Sequence, residues 1–225
     1  MLVRGLADTR ATLDAWNERP GPVVGRWLAA SLAITALLLV SVWIIARVST
    51  PDVSRSFLGG LDSPDLEQVL RVLMRNALVL ALHAFACIAG FIAGSSLPQE
   101  AERYSGAWRW IHEKAGPLAI LFVVGATTFS LITQAYVLGQ GASSLAWQLD
   151  VGPGVLLLGL LPHAVPELVA LFLPLAAWII ASRQKDWHEL LAATLVTVAL
   201  AVPVLIAAAF VEVYISPGLL RALAG

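Results

Sequence analysis

Five long apolar runs divide this chain, separated by short stretches that carry nearly all of its charge. A hydrocarbon core about 30 Å thick takes about 20 apolar residues to cross as a helix, and each run reaches that length. Trp27 to Ala46 holds 20 uncharged residues between Arg26 and Arg47. Trp27 and Trp43 lie near its ends, as interfacial aromatic residues do. Asn76 to Leu97 holds 22 and is closed by Pro98, and Pro117 to Leu138 holds another 22. The latter opens on a proline suited to a first helical turn. Val151 to Ser182 runs for 32 residues with one charge, Glu167, and three internal prolines, Pro162, Pro166 and Pro174. Leu190 to Val211 is again 22 residues without charge, continuing through Glu212 and Tyr214 to a stop at Ser216-Pro217-Gly218. The pattern predicts an all-α, polytopic transmembrane helix bundle of five spans, near 27–46, 76–97, 117–138, 153–182 and 190–213, with a proline-broken fourth helix. The bundle, 27–220, is preceded by a cytoplasmic amphipathic segment at 1–26 and followed by a tail at 221–225.

The flanks fix a direction. With the N-terminus inside, the inner segments carry nine Lys and Arg and the outer segments five, Arg47, Arg55, Arg71, Arg75 and Arg221. That asymmetry predicts a multi-pass protein of the cytoplasmic (inner) membrane, N-terminus inside and C-terminus outside. The first run ends in Ile-Ile-Ala-Arg-Val, with no small-x-small site, and is expected to be a retained anchor rather than a cleaved signal. Ahead of it, Leu2, Leu6, Leu13 and Trp16 share a helical face opposite Arg4, Asp8, Arg10, Asp14 and Glu18, before Pro20-Gly21-Pro22 interrupts the pattern. Glu100 to Lys114 mixes Tyr104, Trp108, Trp110 and Ile111 with charges and reads either as a second interfacial helix or as a plain inner connector. The outer segment from Val48 to Gln68 is acidic, with Asp52, Asp62, Asp65 and Glu67 against Arg55.

Composition agrees and narrows the function. Hydrophobic residues make up 59% of 225 and charged residues 13%, which excludes a soluble globular enzyme. A formal charge of −1 offers no basic surplus for a nucleic-acid backbone, so nucleic acid is not an expected partner. The one cysteine, Cys87, sits inside an apolar run and forms no intramolecular disulfide.

Ionisable groups at membrane depth are costly and are the first candidates for function. The fourth run supplies the strongest, Pro162, His163, Pro166 and Glu167. Each proline lacks an N–H, which leaves the carbonyls of Leu158 and Pro162 without helical donors. One expected form is a half-helix to Leu161, a turn at His163 and a new helix opening on Pro166, with Glu167 in its first turn against the positive end of the dipole. If the helix instead persists, His163 and Glu167, four residues apart, share a face and form a relay, a hydrogen-bonded pair or half of a cation site. Glu212 is a further acid that a kink at Pro203 would let meet His163. His83 reads as a hydrogen-bonded core histidine. Asn76 and Gln134 read as donors of interhelical hydrogen bonds. Ala86, Gly90 and Gly94, spaced by four, form a small-residue face for close helix packing, within the subunit or between copies. His112 and His188 read as solvated. Neither a catalytic set nor a metal set is complete, and no cofactor is expected: two side chains are too few for a metal site, and no nucleophile adjoins the histidine.

The string Gly159-Leu160-Leu161-Pro162-His163-Ala164-Val165-Pro166-Glu167-Leu168, with Ala209-Phe210-Val211-Glu212-Val213-Tyr214-Ile215-Ser216-Pro217 about 45 residues later, resembles the stage II sporulation protein M family of integral membrane proteins. Asn76-Ala77-Leu78 resembles the Asn-rich opening of an early helix in that family. The likeness covers roughly Leu70 to Leu220. Its Pro-His-Gly-x-x-Glu signature carries over to Pro162, His163 and Glu167, with Ala164 in place of the glycine and Glu212 as the later acid. The resemblance implies a polytopic protein without established catalysis. In spore formers the namesake joins a membrane complex with peptidoglycan-degrading enzymes during engulfment. Relatives occur in bacteria and archaea that never sporulate, often encoded near AAA-type ATPases and von Willebrand-like proteins.

Two functions follow as expectations. The first is a non-enzymatic membrane subunit that scaffolds or positions partners in a cell-envelope-related complex, in contact with lipids, other membrane or envelope proteins, or copies of itself. The second is a small transporter or channel in which the broken helix, His163, Glu167 and Glu212 line an ion or solute route. An Ala/Leu/Val-rich, Lys-poor chain suits a high-GC bacterium.

Overall fold

A backbone surrounded by apolar side chains has no solvent partner for its amides and must bond to itself, which a helix does within one segment. The computed structural model describes residues 2–52, residue 54 and residues 64–224, and among them it is helical with no strand. The elements are α1 (Leu2–Glu18), α2 (Pro20–Val48), α3 (Leu66–Phe91), a π turn (Ile92–Ser96) leading into α4 (Leu97–Ala101), α5 (Gly106–Gln148), α6 (Pro153–Gln184), a 3₁₀ turn (Trp187–Glu189), α7 (Leu190–Phe210), a second π turn (Val211–Ile215) and α8 (Ser216–Ala224). Among the described residues five helical stretches are long and apolar enough to cross a membrane: Pro20–Val48, Leu66–Ser95, Gly106–Gln148, Pro153–Gln184 and Trp187–Leu223.

Four expectations about boundaries are corrected. The fourth hydrophobic region is not broken: α6 runs unbroken through Pro162, Pro166 and Pro174. Pro162 and Pro166 stand one helical repeat apart with their rings on the exposed side, while His163 and Glu167 occupy the buried side. A break would strand more amides than the donors these prolines lack, and apolar surroundings offer such amides no partner. Pro117 does not open its helix but lies inside α5, which begins at Gly106, a glycine at φ +62° that starts the helix after the turn at 102–105. Trp108, Trp110 and Ile111 therefore belong to the first turns of a 43-residue helix rather than to a separate interfacial one. Ser216-Pro217-Gly218 does not end the chain's last helix, because α8 continues directly from the π turn. Finally α3 starts at Leu66, so Asn76 lies within the helix and not at its opening. Of the acidic segment between α2 and α3, Arg55 and Asp62 lie outside the described residues.

The helices contribute to two compact units. One comprises Met1–Ser31, Leu78–Thr128 and Leu171–Ala201. Its core is Trp27, Leu173, Ala177 and Ala193, with Val23, Val24, Ile180 and Val196 packed around it. The amphipathic reading of α1 fits this unit: Trp16 meets Trp27 edge to face at 5.1 Å, while Arg10, Asp14 and Glu18 stay exposed. The face at Ala86, Gly90 and Gly94 is filled from within, since a Cβ on Gly90 would fall 2.7 Å from Trp178 Nε1 and one on Gly94 would overlap the Trp187 ring. At Gly116 an added Cβ would sit 2.7 Å from the Ala93 carbonyl oxygen.

The other unit comprises Leu32–Ala77, Phe129–Ala170 and Val202–Gly225. Val69, Ala209 and Val213 form its buried core with Val72 and Leu73. Gly139 lets α5 approach α2, where a Cβ would come within 2.6 Å of Ile45. Ser143 Oγ donates to the Ser49 carbonyl at 3.0 Å, and the Asp52 amide donates to Ser144 Oγ at 2.9 Å, tying the end of α2 to α5.

These contacts separate two glycines of α5. Gly116→Ala forces a methyl against backbone and is expected to destabilise the protein by about 1–3 kcal/mol. Gly125→Ala, which meets nothing within 4 Å, is expected to be neutral or slightly stabilising. Thermal unfolding of the two variants in mild detergent reads the difference, and equal midpoints would refute the close approach at Gly116.

Candidate functional site

In the second unit α6 turns His163 and Glu167 toward its buried side, because a spacing of four brings both onto one helical face. Glu167 is 9% exposed and His163 is equally enclosed. They lie about 15 and 21 Å along a helix about 48 Å long at 1.5 Å per residue, well away from either end. The π turn after α7 brings Glu212 to them. One donor atom from each of His163, Glu167 and Glu212 lies within 4.8 Å of the other two. Glu212 thus comes near His163, as expected from the sequence though without a broken α6, and Glu167 completes a triangle.

The third contributor is α3. Arg75 approaches Glu212 with Nη2 to Oε1 at 3.5 Å, a charge pair whose arginine is largely exposed and whose glutamate is 28% exposed. Asn76, the next residue, is 2% exposed and lies beside the Glu167 carboxylate. Its Nδ2 is buried without a hydrogen-bond partner, and so is Glu212 Oε2. Unsatisfied polar atoms of this kind are uncommon in folded proteins and call for a ligand or another explanation.

A chain of hydrogen bonds sets the orientation of the histidine. Ser216 Oγ donates to the Val211 carbonyl at 3.1 Å, spanning the π turn. The same oxygen lies 2.7 Å from His163 Nδ1. With its one proton committed to Val211, Ser216 accepts from the imidazole, so His163 carries its proton on Nδ1 and presents a lone pair at Nε2. The serine that the sequence reading used only as a helix stop therefore fixes the tautomer.

The remaining polar candidates lie elsewhere. His83 donates from Nδ1 to the Leu171 carbonyl at 3.0 Å and meets Phe172 edge to face, as a core histidine does. Cys87 Sγ donates to the Pro174 carbonyl at 3.1 Å. Gln134 makes no interhelical bond among the hydrogen bonds described: its Nε2 donates to Ser130 Oγ one turn back on α5, at 3.0 Å. His112 is not simply solvated, since it donates to the Trp108 carbonyl at 2.8 Å and stacks on Tyr104. His188 is exposed, as expected.

Arg75 and Ser216 were not legible as site residues. Arg75 read only as one of the five outer-side charges. The spacing of Val69, Val72, Leu73, Asn76, Leu80 and His83 was the available signal, because that apolar stripe extends the helix back past Arg75.

Replacing Ser216 by Ala removes the acceptor for a buried N–H. The expected cost is about 1–3 kcal/mol, read as a lowered thermal midpoint in detergent, and an unchanged midpoint would count against the hydrogen-bond chain. Comparison of this chain with models of known protein families, with curated proteins and with solved structures finds no match.

Proposed function

We propose that this protein is a small cation-handling membrane protein, a transporter or channel whose working site is the His163, Glu167 and Glu212 cluster. The observation that carries the reading is the gathering of two carboxylates and an imidazole, with Arg75 and Asn76, among helices long and apolar enough to span a bilayer. A bilayer tolerates such groups where they bind or pass ions or protons. Arg75 balances one carboxylate, and the second needs a proton or a cation. The unbroken α6 removes the half-helix dipole as the source of stabilisation for Glu167, which strengthens this need.

The sequence alone ranks a scaffolding subunit of a cell-envelope complex first, and one observation keeps that as the second reading. The residues that carry the resemblance to the stage II sporulation protein M family, Pro162, His163, Glu167 and Glu212, are largely those of the cluster. In that reading the cluster is a joint that holds the helices in register, and the partners are membrane or envelope proteins. Both readings place the protein in the cytoplasmic membrane of a bacterium with its N-terminus inside and its C-terminus outside, on the Lys and Arg asymmetry.

Glu167→Gln separates the two. It keeps shape and hydrogen-bonding capacity while removing the charge, so the protein is expected to fold and to lose cation flux in reconstituted vesicles. Normal flux in the folded variant would refute the transport reading, whereas loss of folded protein with stoichiometric partners co-purifying from native membranes would favour the scaffold. A C-terminal alkaline phosphatase fusion is expected to be active and a C-terminal green fluorescent protein fusion dark. The opposite pair would reverse the orientation.

A further inference from the structure

We infer that His163, Glu167 and Glu212 form a binding site for a divalent first-row transition-metal ion of the zinc type, an assignment that rests on reading the cluster as a cation site. The ligand set is one imidazole nitrogen and two carboxylate oxygens. Magnesium and calcium favour all-oxygen shells, whereas imidazole suits zinc, copper, iron and nickel. Donor atoms within 4.8 Å of one another come onto a single ion, with bonds of about 2.0–2.2 Å, by modest side-chain rotations.

Each ligand is prepared independently of the ion. His163 is held by Ser216, which receives its Nδ1 proton and leaves the Nε2 lone pair free, the outer partner that metal-ligating histidines usually have. Glu212 has Oε1 turned to Arg75 while Oε2 is buried with no partner. Asn76, 2% exposed and beside Glu167, has a buried Nδ2 that completes no hydrogen bond. An ion near Glu167 and Glu212 would give Glu212 Oε2 its missing partner, and a water on that ion would give Asn76 Nδ2 an acceptor. The two carboxylates supply negative charge for the ion, and the largely exposed Arg75, paired with Glu212 Oε1, offsets part of it at the outer edge.

Three protein ligands leave a coordination position open, the arrangement of sites that exchange or activate what they bind rather than of closed structural sites. An ion held this way can enter and leave, as cation handling requires. Ser216 is a positioning residue here, acting on the ion only through His163.

The test uses the full chain purified in mild detergent, stripped with chelator and titrated with Zn²⁺ alone or Co²⁺ alone. Wild-type protein is expected to take up about one ion per chain, and with Co²⁺ to show visible absorption of low-coordinate cobalt bound to nitrogen and oxygen. His163→Ala, Glu167→Gln and Glu212→Gln are expected to abolish that uptake. Ser216→Ala, with all three ligands in place, is expected to weaken zinc affinity by about 10–100-fold. The wild-type cobalt spectrum and stoichiometry stand even if a ligand variant fails to fold. Wild-type protein that binds neither ion, or folded Glu167→Gln that binds as wild type does, overturns the inference. Proton flux through wild type that Glu167→Gln abolishes, without metal uptake, would overturn the metal site and leave the cation-handling reading standing. Zinc bound as expected in a protein that moves no cation would uphold the site and overturn that reading.

Discussion

Everything in this structure answers to one constraint: backbone amides and ionisable side chains packed among apolar helices have no water to satisfy them. Helix continuity follows first. Three prolines within α6 would bend or break a helix in water, where the stranded carbonyls find solvent. Here a break would expose further amides to an apolar medium, and the helix runs through. The prolines at 162 and 166 face outward, which keeps their rings off the side where His163 and Glu167 meet α3 and the π turn. Pro162 and Pro166 thus lie on one side of the helix and the chemistry on the other, while Pro174, further along, is buried.

The same constraint separates what was readable in the sequence from what was not. Uncharged runs of about 20 residues have one stable form in a bilayer, so the number of long apolar helices and their approximate centres followed from hydropathy alone. The identities of His163, Glu167 and Glu212 as the costly groups followed from the same counting. Boundaries did not follow, because hydropathy marks where a helix meets lipid and not where it ends. α5 reaches about 65 Å at 1.5 Å per residue, far more than the hydrocarbon thickness, so its ends are set by Gly106 and the turn at Leu149–Asp150. The proline pattern misled for a related reason. Propensities measured in water count a lost N–H against solvated alternatives, and those alternatives are missing here.

The small-residue face shows a second limit. Spacing by four at Ala86, Gly90 and Gly94 predicts close packing, but it does not say against what. The answer is two indole rings, Trp178 and Trp187, within the same unit. A partner element that large was not implied by the glycines themselves. It also means that this face is occupied by the chain's own side chains and does not offer itself for association between copies.

The π turn at Val211–Ile215 ties the fold to the site. Inserting one residue into an α-helix rotates everything beyond it by about 100°, one residue's share of a 3.6-residue turn. The extra residue leaves the Val211 carbonyl to be met from five residues on, by the Ser216 amide and by its hydroxyl. That hydroxyl is thereby oriented with its lone pairs toward His163, and the imidazole proton is fixed on Nδ1. Glu212 lies inside the same turn, so one local departure from α-helical geometry both positions an acid and sets the protonation pattern of the base across from it. A regular helix would still place Glu212 and Ser216 on one face, four residues apart, but would bond the Val211 carbonyl to the Ile215 amide and turn the serine hydroxyl to the Glu212 carbonyl, as Ser41, Ser144 and Thr194 turn theirs to the carbonyls four residues back. Such turns recur at functional sites in helical proteins, and here the physical reason is visible in the order of three hydrogen-bonding atoms.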